Sequence, residues 1–359
     1  DLKQRYQSVL VMECAGNRVY AGNRGAVWFR SEAKRTGEGV ATFSLSEAVA
    51  FGVLAMQEEG AAIKGESDHP LFPHRPVQTC NGILGPYGEH PSRINGRIPF
   101  EVKGAAPQIR KALDRAIEAY CRDVDDKTKV IDPATGKAKV DRHLDVSPTT
   151  GGLGIIVHGS SGHMGSILEN DDAILKWAYC VRELVAHRRE TGHPLEISIQ
   201  DYDASSLLVL EGGQGFLPTH AIEDVQVRMR NAFERGVTAH LAGEGVGPGA
   251  VQCTTTYDKL HNAAFAGDPD SPTMRNAREA AIALGMMPPD TPVRGWDVSC
   301  DARLFATEYP DMPVITGGVG ALSDAHSDHE HIREDELFCA VVFSALFLLI
   351  ETGSVRAEG

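Results

Sequence analysis

The sequence predicts an α/β protein built from both ends of the chain, with a duplicated, ferredoxin-like α+β part inserted between them. Three observations predict it. Beyond about residue 252, strands, a glycine-rich turn, a polar loop and a long apolar helix alternate, the pattern of an α/β layer. Residues 26–125 read β-α-β-β-α, and after a polar connection the same order returns. The chain also enters with an apolar strand, Val9 to Met12, that ends in an acid, Glu13. The boundaries that follow are 1–25 and 251–359 for the α/β part, 26–125 and 150–250 for the two copies, and 126–149 for the connection.

The elements are justified in order. "RGAVWFRSEAK" reads as a strand that buries Ala26 and Trp28, with Val27 and Phe29. "SLSEAVAFGVLAMQEEG" has apolar residues at helical spacing, Ser44 or Ser46 to cap it and Gly60 to stop it. "NGILGPYGEHPSRINGRIPFEVKG" gives two short strands punctuated by Gly and Pro, and "PQIRKALDRAIEAYCRDV" an amphipathic helix with Pro107 near its start. Asp123 to Thr150 is polar and reads as an exposed connection. "LGIIVHGSSGH" is then a strand, "ENDDAILKWAYCVRELVAHRRETG" a helix, and "LEISIQ" and "LLVLEGG" strands. "THAIEDVQVRMRNAFERG" leads to a last helix or strand. "TMRNAREAAIALG" is a helix, "RGWDVSCDARLFA" a strand with its loop, "MPVITGG" a buried strand, and Arg333 to Glu351 a buried core helix.

Composition narrows the function. The 359 residues are 42% hydrophobic and 23% charged, an ordinary soluble balance. A formal net charge of −14 argues against nucleic acid, whose phosphates need a basic surface. The apolar run Leu337 to Ile350 is too short to span a bilayer, so no membrane partner is expected. Seven cysteines, scattered and never in a CxxC pair, fit a reduced, cytoplasmic chain. No GxGxxG, Walker loop or GxSxG motif is present, which leaves nucleotide binding and serine hydrolysis without support.

Four places carry candidate chemistry. Glu13 ends an apolar strand, where a carboxylate can ligate a metal or simply face solvent. His326, in "GALSDAHSDHEH", follows a strand and a glycine loop. Sites form at such strand ends, and Asp324, Asp328 and Glu330 could orient its ring. The plainer reading is that Ser327 or Asp328 caps the last helix and that His326, His329 and His331 are solvated. His158 and His163 flank a Gly/Ser turn in "VHGSSGHMGS" that offers donors to an anion, or is only a strand-to-helix turn. "HLD", His143 to Asp145, has the spacing of a zinc pair but lies in the polar connection with no apolar strand before it, and is set aside.

Taken in order, these segments resemble the co-catalytic zinc exopeptidases and amidohydrolases: carboxypeptidase G, acetylornithine deacetylase, succinyl-diaminopimelate desuccinylase and aminoacylase. "VLVMECAGNRVYAGNRGAVWF" is similar to that family's strand ending in an acid before a lid domain. "VHGSSGHMGSILENDDAILK" is similar to its G-x-x-x-H turn, and "LEGGQGFLPTHAIEDVQVRMR" to its double glycine and P-x-x-A strand ending in Arg. "VSCDARLFA" and "ITGGVGALSDAHSDHEHI" are similar to its returning strand, glycine loop and His-x-x-x-E loop. The resemblance covers most of the chain. It implies a zinc-peptidase-like (phosphorylase/hydrolase-like) α/β catalytic domain with an inserted ferredoxin-like lid, enlarged as in peptidase V. It implies metal ligands at Glu13 and His326, and a carbonyl-polarising His163. Substrate contacts would come from Arg228 or Arg230, Asp301, Arg303, Gly317, Gly318 and Gly320. The cofactor would be two zinc ions, with cobalt or manganese as alternatives. The substrate would be a small peptide or N-acyl amino acid. A doubled lid would cover the surface other members use to dimerise, so a monomer is expected. Phe216 stands where the family often has Asn.

The family's opening segment, with its His-x-Asp pair, bridging Asp and general-base Glu, has no counterpart in these residues. The resemblance therefore makes the chain the C-terminal two-thirds of such an enzyme, inactive and weak in zinc binding by itself. The alternative is a non-catalytic homologue, or a truncated chain, that serves as a binding or assembly module.

Overall fold

The computed structural model describes residues 5–36, 43–131, 136–166, 170–247, 249–257, 262–322 and 330–355. Its elements are, in chain order, β1 (Val9–Met12), β2 (Arg18–Tyr20), β3 (Gly22–Asn23), β4 (Gly25–Arg35), α1 (Leu45–Glu66), β5 (Thr79–Leu84), β6 (Arg93–Ile94) and β7 (Arg97–Lys103). There follow α2 (Ala106–Asp123), β8 (Leu144–Thr149), β9 (Gly152–His158), β10 (Gly162–His163), α3 (Ala173–Thr191), β11 (Glu196–Ile199), β12 (Leu207–Phe216) and α4 (Ile222–Gly243). The chain ends with β13 (Val251–Thr256), β14 (Phe265–Ala266), α5 (Pro272–Ala283), β15 (Gly295–Trp296), α6 (Ala302–Glu308), β16 (Val314–Gly318) and α7 (Glu334–Glu351).

The two ends of the chain meet in the α/β part. β1 pairs with β16 in parallel and β16 pairs with β2 antiparallel, giving the order β1-β16-β2. A second small sheet, β14-β3-β15, lies beside them. Parallel pairing puts the C-terminal ends of β1 and β16 at one edge, so Glu13 and the glycines ending β16 are neighbours. Glu13 donates its backbone N–H to the Gly317 carbonyl at 2.9 Å.

Residues 25–256 form two four-stranded antiparallel sheets, ordered β13-β4-β12-β5 and β11-β7-β9-β8. Each belongs to a β-α-β-β-α-β unit whose strands lie in the order fourth, first, third, second: β4-α1-β5-β12-α4-β13 in one, β7-α2-β8-β9-α3-β11 in the other. The units are nested. The inner unit, residues 97–199, is inserted between the second and third strands of the outer one. This divides the chain differently from tandem copies at 26–125 and 150–250. Linear element order shows which strands exist but not which pair, because β12 reaches back across the whole inner unit to β4 and β5. The region 126–149 is likewise not all connection: Leu144–Thr149 is β8, paired with β9.

Local chemistry explains most elements. Asp172 caps α3 by accepting from the N–H groups of Ile174 and Leu175, and Gly192 ends that helix in the left-handed conformation. Ser44 caps α1, accepting from the Glu47 N–H. Gly60 does not end α1, which runs on to Glu66. Its role is packing: a Cβ there would stand 2.0 Å from Thr79 Oγ1. One continuous core links α1 and α4 of the outer unit to α2 and α3 of the inner one, with Trp177, Phe233, Phe100 and Tyr120 fully or almost fully buried.

Two further expectations change. Leu337–Ile350 lies in α7, but α7 is not wrapped by core: Phe343 and Phe347 are buried, whereas Phe338, Val341, Leu348 and Leu337 are exposed. α7 begins at Glu334, with the Arg333 N–H donating to the Glu336 carboxylate, so neither Ser327 nor Asp328 is its cap. No helix among the described residues is long and apolar enough to cross a membrane.

Candidate active site at the strand ends

Glu13 follows β1 at the parallel strand ends. Gly318 makes room for it: its φ is +144°, and a Cβ there would lie 2.2 Å from the Glu13 carbonyl oxygen. Burial, then the nearby Asp301 charge, raise the Glu13 carboxyl above its ordinary value, against hydrogen bonds from Cys300 and the Cys14 backbone. A carboxylate desolvated beside a second acid is an arrangement that a cation relieves.

A cavity of about 500 Å³ opens here. Glu13, Cys14, Asp301 and Glu330 border it from the α/β part, Trp28 from β4, His90 and Ser92 from the connection between β5 and β6, and His163 from the inner unit. A second cavity of about 510 Å³ shares Glu13, Cys14 and Glu330 and adds Gly320 and His331. His163 sits on β10, held by antiparallel pairing of Gly162–His163 with β6. Its Nδ1 accepts the Gly165 N–H at 3.0 Å, so in the neutral ring Nε2 carries the proton and is a donor. His90 is oriented the same way, its Nδ1 accepting from the N–H and hydroxyl of Ser92.

The thiols at this edge are poor nucleophiles. Cys300 is pushed up to about 11 by burial, and its sulfur accepts from Asn23 Nδ2 at 2.9 Å. Burial and then the Glu13 charge raise Cys14. Cysteine hydrolysis, which needs a thiolate, is thereby disfavoured.

The structure brings some sequence candidates together and separates others. Glu13, His163 and Asp301 border one cavity, and Gly320 the adjoining one. Gly317 and Gly318 end β16 beside Glu13. Arg303 is buried beneath, donating to the Cys300 carbonyl and to the Asp301 carboxylate at 2.8 Å, so it positions Asp301 and does not border the cavity itself. His326 lies outside the described residues, as do Asp324, Asp328 and His329.

Arg228 and Arg230 are elsewhere. "AIEDVQVRMR" is the start of α4, not a strand. Arg228 forks onto Glu66 at 2.5 and 2.8 Å and reaches Glu59 at 2.6 Å, clamping α4 to α1. Arg230 is exposed on the same helix. "CDARLFA" is likewise helical from Ala302. The "HLD" pair splits: Asp145 pairs with His158 at 2.8 Å, while His143 turns to Cys121 and Asp126. Trp28, His90, Ser92 and Cys300 were not anticipated at the site. "GEHPSR" gave the one usable signal, a His beside turn residues.

No family model matches the chain, and no curated protein does. Solved structures similar to it include peptidases and amidases. Human carnosine dipeptidase 1 is 11% identical with a TM-score of 0.47, over 96% of this chain and 59% of that one. The dipeptidase Dug1p of Saccharomyces cerevisiae is 11% identical with a TM-score of 0.44, over 98% and 58%. The M20-family metallo-carboxypeptidase Sso-CP2 of Sulfolobus solfataricus is 10% identical with a TM-score of 0.41, over 92% and 59%. The chain thus spans about three fifths of the length of these proteins.

Proposed function

We propose that this chain is part of a metal-dependent hydrolase that cleaves an amide bond in a peptide or N-acyl amino acid. The supporting observation is the shared cavity. Glu13, at the C-terminal end of a parallel strand, and His163, from the nested unit, border the same space although the chain between them forms most of two sheets. In this reading Glu13 and His326 hold the metal, zinc in the first instance, and Asp301 adds negative charge beside them. A divalent ion bound there supplies an activated water at neutral pH. His163 donates its Nε2–H to the scissile carbonyl as that oxygen gains charge, a role suited to a neutral ring whose other nitrogen is already occupied. Trp28 and Trp296 contribute apolar wall to the cavity. The outer and inner units then serve as a doubled lid. This reading assigns no substrate contact to Arg228, which Glu59 and Glu66 engage, or to Arg230, which is exposed on α4.

The test is hydrolysis of dipeptides and N-acyl amino acids by the full-length gene product with zinc, cobalt or manganese. His163→Gln is expected to lower kcat about 10²- to 10³-fold, the size of a lost oxyanion donor, with metal affinity unchanged. Glu13→Gln is expected to weaken metal binding. Undiminished turnover in His163→Gln would remove its assigned role. Metal-loaded protein that hydrolyses none of these substrates would leave the cavity as the pocket of a binding module.

A further inference from the structure

Outside that cavity, the inner unit gathers a second set of metal-binding side chains. Cys121 lies in the last turn of α2, Asp126 just beyond it, and His143 immediately before β8. One ligand atom from each lies within 4.8 Å of the other two. We propose that Cys121, Asp126 and His143 form a binding site for a divalent ion of the zinc class, which pins the connection between α2 and β8.

The distances carry the argument. Cys121 Sγ is 3.5 Å from His143 Nε2, and that nitrogen is 3.2 Å from Asp126 Oδ1. Bond lengths of about 2.3 Å to sulfur and about 2.0 Å to nitrogen or oxygen, at tetrahedral angles, place sulfur and nitrogen about 3.5 Å apart and nitrogen and oxygen about 3.3 Å apart. The side chains thus hold ligand spacing already, and binding asks for little rearrangement. Sulfur, imidazole and carboxylate together are a borderline-soft set that favours zinc or cobalt over calcium or magnesium.

The surroundings are consistent. The His143 and Asp126 side chains are 13% and 19% exposed, enough for an ion to enter and little enough to shield it. Asp126 is oriented by Thr128, which donates both its N–H and its hydroxyl to Oδ1. Lys129 is the competing cation, 2.9 Å from Oδ2, but its side chain is 80% exposed and can move away. The protons balance. The Cys121 thiol gives its proton to solvent, and the ring keeps one proton, moved from Nε2 to Nδ1. Thiolate and carboxylate then neutralise the ion, and a fourth position is left to water. The Asp126 carboxylate favours the Nε2–H tautomer in the empty site, and His143 Nδ1 is buried with no hydrogen-bond partner among the described residues, so moving the proton there is a cost that the ion's bonds to Nε2 and Oδ1 offset. Cys121 and His143 are 22 residues apart, and an ion joining them closes that span, which removes freedom from the unfolded chain.

The experiment uses the whole chain, stripped with a chelator and titrated with cobalt(II). A near-ultraviolet thiolate-to-cobalt absorption is expected, rising to a plateau whose intensity corresponds to one thiolate-bound cobalt per chain. Cys121→Ser should abolish it and His143→Gln should weaken it, each with unchanged far-ultraviolet circular dichroism. Cys14→Ser and Cys300→Ser should keep it. Zinc should raise the Tm of the unaltered protein and not of Cys121→Ser. Absence of the band, or a band that survives Cys121→Ser and disappears with Cys14→Ser, overturns the proposal. The readout is the Cys121 thiolate, so a failure of hydrolysis at the Glu13 cavity leaves it unaffected.

Discussion

Glu47 on α1 and Arg188 on α3 join the outer unit to the inner one, and breaking that pair should cost more than an ordinary surface ion pair. Arg188 forks onto both Glu47 oxygens at 2.7 Å each. The Glu47 side chain is 4% exposed, and His240 Nε2 stands 3.5 Å from the same carboxylate. Removing one partner of a buried pair typically costs about 3–5 kcal/mol, because the other charge stays desolvated. The two sides differ here. With Glu47→Ala, Arg188 keeps Glu244 at 3.0 Å and some water, since its side chain is 21% exposed. A loss of about 3 kcal/mol is expected, the lower end of that range. With Arg188→Met, Glu47 keeps only the His240 ring beside its carboxylate among the described side chains, and about 4–5 kcal/mol should go. The double variant should lose clearly less than the sum, with a coupling of about 1.5 kcal/mol or more.

The same pair predicts a pH dependence. Burial, the largest influence, pushes the Glu47 carboxyl up, but His240 and Arg188 outweigh it and hold it below 4.5. A depressed carboxylate contributes stability that is present above its unfolded value and is lost as pH falls through the folded one. Stability should therefore drop below about pH 4.5 more steeply in the unaltered protein than in Glu47→Gln. Urea unfolding at several pH values measures both effects. A loss under about 1 kcal/mol for Arg188→Met, with additive variants, would show that helix packing and not the ion pair joins the units.

Three other outcomes are expected. Lys176, with no exposed side-chain surface, bonds Asp171 at 2.5 Å and the His158 carbonyl at 2.6 Å, so Lys176→Met should cost about 3–5 kcal/mol in urea unfolding and Lys176→Met/Asp171→Asn much less. Gly318→Ala meets both a φ of +144° and the Glu13 carbonyl, so it should destabilise by more than about 1 kcal/mol and weaken metal binding at Glu13, measured by thermal unfolding and titration calorimetry. Phe338→Glu with Val341→Lys changes residues that are 72% and 62% exposed, so stability in urea unfolding should move by no more than about 0.5 kcal/mol; a larger loss would show that this face is covered in solution.

Helices with short-range signals were legible from the residues alone. Ser44, one of the two residues offered as a cap, caps α1, and Pro107 lies in the first turn of α2. Each signal acts within one helical turn, so no knowledge of distant contacts is needed. The apolar strands Val9–Met12 and Val314–Gly318 were legible for the same reason. "AIEDVQVRMR" was not, because a short apolar alternation suits either a strand or a helix until a partner surface exists. Gly60 misled in the other direction: its need for space comes from Thr79, on another element.

At the candidate site, the residue types and the strand-end position of Glu13 came from the sequence, and so did His163 beside its Gly/Ser turn. The sequence by itself also determined the alternation of strands and helices, the cap at Ser44, and the acidic balance that disfavours nucleic acid. Only the tertiary structure decided that the two β-α-β-β-α-β units are nested, that Arg228 serves an ion-pair clamp, that the apolar stretch in α7 is largely exposed, and that His143 faces Cys121 and not Asp145. The physical reason is range. Capping and periodicity are fixed by neighbours a few residues away, whereas strand pairing, burial and side-chain clusters depend on surfaces that meet only when distant segments fold together.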